Sequence, residues 1–143
     1  MAGIIVTGHG GLADGIMVSL KMIAGEQKDI VAVGFADGEG TEDLKVRLNA
    51  ALDAQAQEEI VVMADLAGGT PYNVAAMLAM ERGDKRIRVI SGLNLPMLVE
   101  SAMSRDFLDL DALVATALRA GKEGIRLFEE TPACRQEADG EGI

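Results

Sequence analysis

Glu59-Ile60-Val61-Val62-Met63-Ala64-Asp65-Leu66-Ala67-Gly68-Gly69-Thr70-Pro71 is the stretch that decides the fold. Its first six residues form an Ile/Val-rich run with no regular polar alternation. Such a run suits a strand covered on both faces, as in a parallel sheet. Glycines break the run, and a helical pattern follows to Glu81. Thr70 is expected as its N-cap and Pro71 as its first helical residue. Three further runs have the same character: Gly3–Thr7, Ile30–Phe35 and Ile87–Ser91.

Helical spacing fills the intervals. Leu12–Ala24 places Ile16, Leu20 and Ile23 on one face. Thr41–Ala54 opens on Thr41-Glu42-Asp43 and repeats Leu44, Leu48 and Leu52. Pro96–Ser104 again opens on proline, and Asp109–Ala120 is expected to end at Gly121 as a C-cap. Strand–helix alternation at about 30 residues predicts right-handed βαβ units and a three-layer, doubly wound α/β sandwich. Its mostly parallel sheet is expected in the order 2-1-3-4. Residues 1–128 read as one domain and residues 129–143 as a polar tail, with room for one short strand.

The chain has 143 residues, enough for one domain with a real core. Apolar residues make up 49% and charged residues 25%, which excludes a disordered chain. Thirteen Lys and Arg against 23 Asp and Glu give a net charge of −10. That sign disfavours nucleic acid and anionic lipid, and it suits a basic protein partner. One cysteine, Cys134, permits no internal disulfide and no cysteine-rich metal site, and it reads as inert. No apolar run reaches membrane-spanning length, no signal peptide is evident, and the expected location is the cytoplasm.

Ligands of open α/β sheets bind beyond the carboxyl ends of the strands. The residues there are Gly8-His9-Gly10-Gly11, Asp37-Gly38-Glu39-Gly40, Asp65 to Pro71, and Gly92-Leu93-Asn94-Leu95-Pro96. In the order 2-1-3-4 the crevice opens between strands 1 and 3, so His9, the sole histidine, faces Asp65. A carboxylate holding Nδ1–H would fix the tautomer and leave Nε2 as a nucleophile. Gly10 and Gly11 leave the ring uncovered. Gly68, Gly69 and Thr70 would offer amide groups and a helix N-terminus to an anion. The combination suggests phosphoryl chemistry.

Composition and spacing leave plainer readings open. His9 could be structural, Asp65 a loop cap, and Gly68-Gly69 a tight turn. Asp37 and Glu39 read as solvated loop charges. Met17, Met22, Met77 and Met80 read as core filling. No Walker A or GxGxxG pattern follows the first strand, so nucleotide binding has no motif behind it.

Three collinear blocks narrow these alternatives. Gly3-Ile4-Ile5-Val6-Thr7-Gly8-His9-Gly10, with Ala24-Gly25-Glu26-Gln27 downstream, resembles the opening of mannose-family IIA components of the bacterial sugar phosphotransferase system. Asp65 to Asn73 resembles that family's Asp-x-x-Gly-Gly-Ser/Thr-Pro-x-Asn signature, and Gly92 to Leu98 resembles a third block. The resemblance covers roughly residues 3–128. A short likeness of the tail, at Cys134-Arg135-Gln136-Glu137 and Asp139-Gly140, points to the N-acetylgalactosamine/galactosamine branch.

The resemblance implies a phosphocarrier. His9 would take a phosphoryl group from phospho-HPr and pass it to a IIB component, with the membrane IIC and IID components involved only indirectly. It maps the orienting carboxylate onto Asp65 and a hydroxyl-bearing turn onto Thr70. No cofactor and no metal are implied. It also implies a homodimer that exchanges a C-terminal, antiparallel strand, here Leu127–Thr131. The chain reads as a free-standing IIA component. Two rival readings are a phosphocarrier for dihydroxyacetone kinase, against which Asp65-Leu66-Ala67-Gly68-Gly69 argues, and a non-enzymatic small-anion module.

Overall fold

A computed structural model describes residues 1–130 and Pro132. Strand β1 (Gly3–His9) leads to helix α1 (Leu12–Ala24), and β2 (Ile30–Phe35) to α2 (Thr41–Ala54). Then come β3 (Glu59–Ala64) with α3 (Thr70–Glu81), and β4 (Arg86–Ile90) with α4 (Leu95–Ser104). A 3-10 turn at Arg105–Phe107 joins α4 to α5 (Leu110–Glu123). The four strands are all parallel, in the order β2-β1-β3-β4. The expected sandwich and strand order are those observed.

Side-chain alternation along β1 and β3 divides the interior into two layers. Ile4, Val6, Val61 and Met63 pack against Leu20 of α1, Leu98 of α4 and Leu113 of α5. Ile5, Ile60 and Val62 pack on the other face against Leu44, Leu48 and Leu52 of α2 and Val74 and Leu78 of α3. The central strands are therefore buried from Gly3 to Gly8 and from Ile60 to Ala64, the physical reason those runs show no polar alternation.

Several boundaries differ from the sequence reading: β4 is Arg86–Ile90 rather than Ile87–Ser91, and α3 and α4 each begin one residue before their proline. β1 runs two residues past Thr7, because Gly8 and His9 stay in register with Gly34 and Phe35 of β2. The N-cap of α3 is Gly69, not Thr70: Gly69 is extended at ψ 161° and its carbonyl accepts from Asn73 at 2.9 Å. Helix α5 passes through Gly121 to a C-cap at Gly124. Gly121 is buried, and a Cβ there would meet Met97 Cε at 2.8 Å. Its missing side chain lets α5 lie close to α4 rather than stopping the helix. Asn94 ties the same junction, capping α4 at Met97 N (3.0 Å) and donating to Gly121 O (2.9 Å).

Arg105 is buried at the opposite end of the sheet from the Gly-rich loops. Its guanidinium donates to the carbonyls of Ala2, Lys28 and Asp29, gathering the starts of β1 and β2. Beyond α5, residues 125–130 form neither helix nor strand, and Leu127 and Phe128 are 85% and 72% exposed. The rest of the expected exchanged strand, Thr131, and Cys134 lie outside the described residues.

Candidate phosphoryl-transfer site

His9 ends β1 and Asp65 follows β3 directly, so strand adjacency sets them side by side above the sheet. Asp65 N donates to Thr7 O at 3.2 Å, which carries the pairing of the two strands up to the crevice. One carboxylate oxygen of Asp65, Oδ2, accepts twice from His9: from its backbone N–H at 2.8 Å and from Nδ1 at 2.8 Å. The other oxygen, Oδ1, is buried without a hydrogen-bond partner. Asp65 is 11% exposed at its side chain and His9 is 49% exposed. The carboxylate is thus fixed in the floor and the imidazole stands in the mouth.

Burial works against ionisation of Asp65. The His9 backbone and ring hydrogen bonds, attraction to His9 and the Leu66 amide outweigh it, and hold the carboxyl below the usual aspartate range. An ionised carboxylate is acceptor only, so Nδ1 carries the proton that bonds it. In the neutral ring the lone pair then sits on Nε2.

Two groups wall the imidazole. A Cβ on Gly69 would lie 2.9 Å from His9 Cε1 and 3.6 Å from Nε2, so only glycine fits beside the ring. Phe35, paired with His9 across β1 and β2, meets the ring in a T-shaped contact with centroids 5.8 Å apart and planes at 71°. The chain leaves the ring through Gly10, whose φ of +59° is a left-handed conformation easy for glycine.

The expected anion donors are placed unequally. Gly10 N–H donates to Phe35 O at 2.8 Å and Gly69 N–H to Leu66 O at 3.1 Å, so both amides already have backbone partners. Gly69 acts by giving the ring space, and Gly10 by turning the chain. Gly68 sits at the tip of the turn with φ +78°, its carbonyl held by Asn73 Nδ2 at 3.1 Å. Thr70 is the first residue of α3, where helix amides are unpaired by intrahelical bonds.

Glu39 is not a solvated loop charge. Its side chain is 16% exposed, and it accepts from Ala36 N at 2.8 Å and from Arg47 Nε at 2.8 Å. The Ala36 hydrogen bond first, then the Arg47 hydrogen bond, hold its carboxyl low. Arg47 also donates from Nη2 to Gly34 O at 2.6 Å. Asp37 is exposed. Phe35, Asn73, Glu39 and Arg47 were not singled out by sequence reasoning as parts of the site. Phe35 could have been reached by asking which residue stands level with His9 on the neighbouring strand.

Residues 3–118 match the sequence profile of the family described as the PTS system fructose IIA component. The chain belongs to the mannose-type IIA family of the phosphotransferase system. IIA components are phosphotransferases that carry a phosphohistidine. The fructose-specific EIIA component of Bacillus subtilis is 34% identical over 131 residues, covering 91% of this chain and 88% of that one. The mannose-specific EIIAB component of Escherichia coli is 33% identical over 131 residues. Those are 90% of this chain but only 40% of that protein, so the chain spans about two fifths of its length. Among solved structures, the EIIA component from Streptococcus agalactiae superposes with a TM-score of 0.83 at 42% identity, covering 88% of this chain and 96% of that one. A mannose/sorbose-specific IIA subunit from Enterococcus faecalis gives 0.82 at 32% identity, covering 91% and 96%. Among the described residues no helix is long and apolar enough to cross a membrane.

Proposed function

We propose that this chain is a cytoplasmic phosphocarrier in which His9 accepts a phosphoryl group from phospho-HPr and hands it to a IIB component. The observation that carries the reading is the 2.8 Å contact from His9 Nδ1 to an ionised, mostly buried Asp65 beneath a half-exposed ring. The Nε2 lone pair attacks phosphorus in line. The P–N bond of the donor phosphohistidine breaks, and its electron pair returns to the donor ring. His9 keeps Nδ1–H throughout, and Asp65 balances the positive charge that builds on the ring as the N–P bond forms. In the second half the same bond breaks toward the acceptor.

The Thr70 amide and hydroxyl and the Gly68 amide are the proposed donors to the phosphoryl oxygens, aided by the α3 N-terminus. Gly10 and Gly69 take supporting roles in place of direct phosphoryl contacts. The protein's task is placement and charge stabilisation. A groove of about 630 Å³ flanks the histidine loop, with Asp14 and Asp37 along it, a fitting approach for a basic partner.

The exposed Leu127-Phe128 pair supports a homodimer in which the segment after α5 covers the open edge of β4 in the other subunit. On the tail's likeness alone, the proposed cargo of the pathway is N-acetylgalactosamine or galactosamine. Relatives named for mannose, fructose and sorbose do not select one sugar.

Incubation with enzyme I, HPr and labelled phosphoenolpyruvate tests the reading. Acid-labile, base-stable label is expected on the protein, absent from His9→Ala, and discharged by IIB. Label that persists in His9→Ala overturns the site. No label on the folded wild type favours the small-anion module, and label that IIB does not discharge but a dihydroxyacetone kinase does favours the carrier for that kinase.

A further inference from the structure

We infer that Phe35 is a positioning residue for His9: it fixes the plane of the imidazole from the side that neither Asp65 nor Gly69 controls. The inference rests on the proposed phosphoryl transfer at His9. Asp65 holds Nδ1 through one hydrogen bond, and one such bond leaves the ring free to rock about its own plane. Gly69 bars motion only toward Cε1. The T-shaped contact, at 5.8 Å and 71°, supplies the third constraint. Three walls leave Nε2 one direction, which an in-line attack requires.

Phe35 can do this because its own backbone is clamped on both sides. Gly34 O accepts from Arg47 at 2.6 Å, Ala36 N donates to Glu39 at 2.8 Å, and Arg47 is paired with Glu39. Phe35 O receives Gly10 N–H at 2.8 Å, which ties it to the residue after the histidine. The Glu39–Arg47 pair therefore forms a bracket from the middle of α2, through the loop before it, to the end of β2. It bonds the backbone of the two residues flanking Phe35, Gly34 within the strand and Ala36 just beyond it. Among the described residues no hydrogen bond or ion pair joins the bracket to His9 directly, so Phe35, through its ring contact and its Gly10 bond, is the link between them. A solvated loop charge would have no such effect.

Phe35→Leu keeps an apolar side chain but removes the ring, and Phe35→Tyr keeps the ring. Phosphorylation is followed with two donors, phospho-HPr and the small chemical donor phosphoramidate. The latter needs no protein docking. Phe35→Leu is expected to transfer about tenfold more slowly with both donors, with the half-saturating phospho-HPr concentration unchanged. The nuclear Overhauser contact between His9 Hε1 and Gly69 should weaken in the same variant. Phe35→Tyr should restore both. If Leu is slow only with phospho-HPr, Phe35 belongs to the docking surface and the inference is overturned. Wild-type rates with both donors, or an unchanged Overhauser contact, overturn it as well. Failure of wild type to accept from phospho-HPr while phosphoramidate labels His9 would refute the proposed function alone. The phosphoramidate and Overhauser comparisons still decide the role of Phe35. Should Phe35→Leu unfold, Phe35→Met fills more of the ring's volume and takes its place.

Discussion

Gly69→Ala separates the chemistry of the site from the stability of the fold. Gly69 has φ −74° and ψ 161°, a conformation alanine adopts without strain. The change should therefore stabilise the chain slightly through its unfolded state, by about 0.4–1 kcal/mol before any clash. The clash is with the histidine. The new Cβ would stand 2.9 Å from His9 Cε1, whereas ordinary contact begins near 3.4 Å, so the ring must retreat by about 0.5 Å or more. It also meets Leu66 O at 3.2 Å, a tight contact that tends to push the turn and the ring apart. Retreat lengthens or bends the 2.8 Å bond from Nδ1 to Asp65 and turns Nε2 off line. Misplacement of that size costs about 10- to 100-fold in a positioned reaction. Rapid-quench transfer from phospho-HPr measures the rate and thermal unfolding measures stability. The expected pair is a slow enzyme with a melting temperature close to that of wild type. A variant that transfers at the wild-type rate would show that the ring is not held by Gly69. One that both unfolds early and transfers slowly would place Gly69 in the fold and not in the alignment of the ring.

Three further outcomes are expected. Asp65→Asn should fold yet lose about 10²-fold or more in transfer, since an amide cannot supply a charged acceptor to Nδ1–H. Because folding lowers the Asp65 pKa below 3.8, its contribution is present above that value and lost as pH falls through the lower folded pKa. The stability gap between wild type and Asp65→Asn should therefore narrow on acidification below about pH 3.8 in urea titrations, and a constant gap would contradict the assignment. Gly121→Ala gains about 1 kcal/mol of helix propensity but crowds Met97 at its Cβ (3.3 Å) as well as its Cε, so a net change between neutral and about 2 kcal/mol of loss is expected in urea with transfer at neutral pH intact; a gain of the full propensity increment would mean that α4 and α5 are not in close approach. Truncation after Gly124 should lower the sedimentation-equilibrium mass toward that of one subunit, and removal of Arg135 to Ile143 should do much less. Equal loss in both would place the exchanged segment further along the chain, and loss in neither would move the dimer contact to the helices.

What could be read without coordinates follows from which forces are local. β3 was legible because burial on both faces removes polar alternation, and Ile60 to Ala64 are all buried. The meeting of His9 with Asp65 followed from topology, since a 2-1-3-4 sheet has only one crevice where its winding reverses. The tertiary uses of polar and glycine residues were not legible. Glu39 and Arg47 are eight positions apart across a loop–helix junction, a spacing that no helical or strand period marks. Gly121 has the signature of a helix stop, yet its role is to admit Met97, and Gly69 resembles an amide donor while its role is to admit an imidazole. In each case the sequence shows that a side chain is missing, and only the neighbour across the fold says why. The same asymmetry explains Phe35. An aromatic at the end of an apolar run reads as core, and part of it does pack there. Its second contact exists because β1 outlasts the expected Thr7 by two residues and brings His9 level with it. A histidine extended from the end of a parallel strand is thereby set among a carboxylate and a glycine from the loop after β3 and an aromatic from the end of β2. That is why the proposed nucleophile could be named from the sequence while the groups packed around it could not.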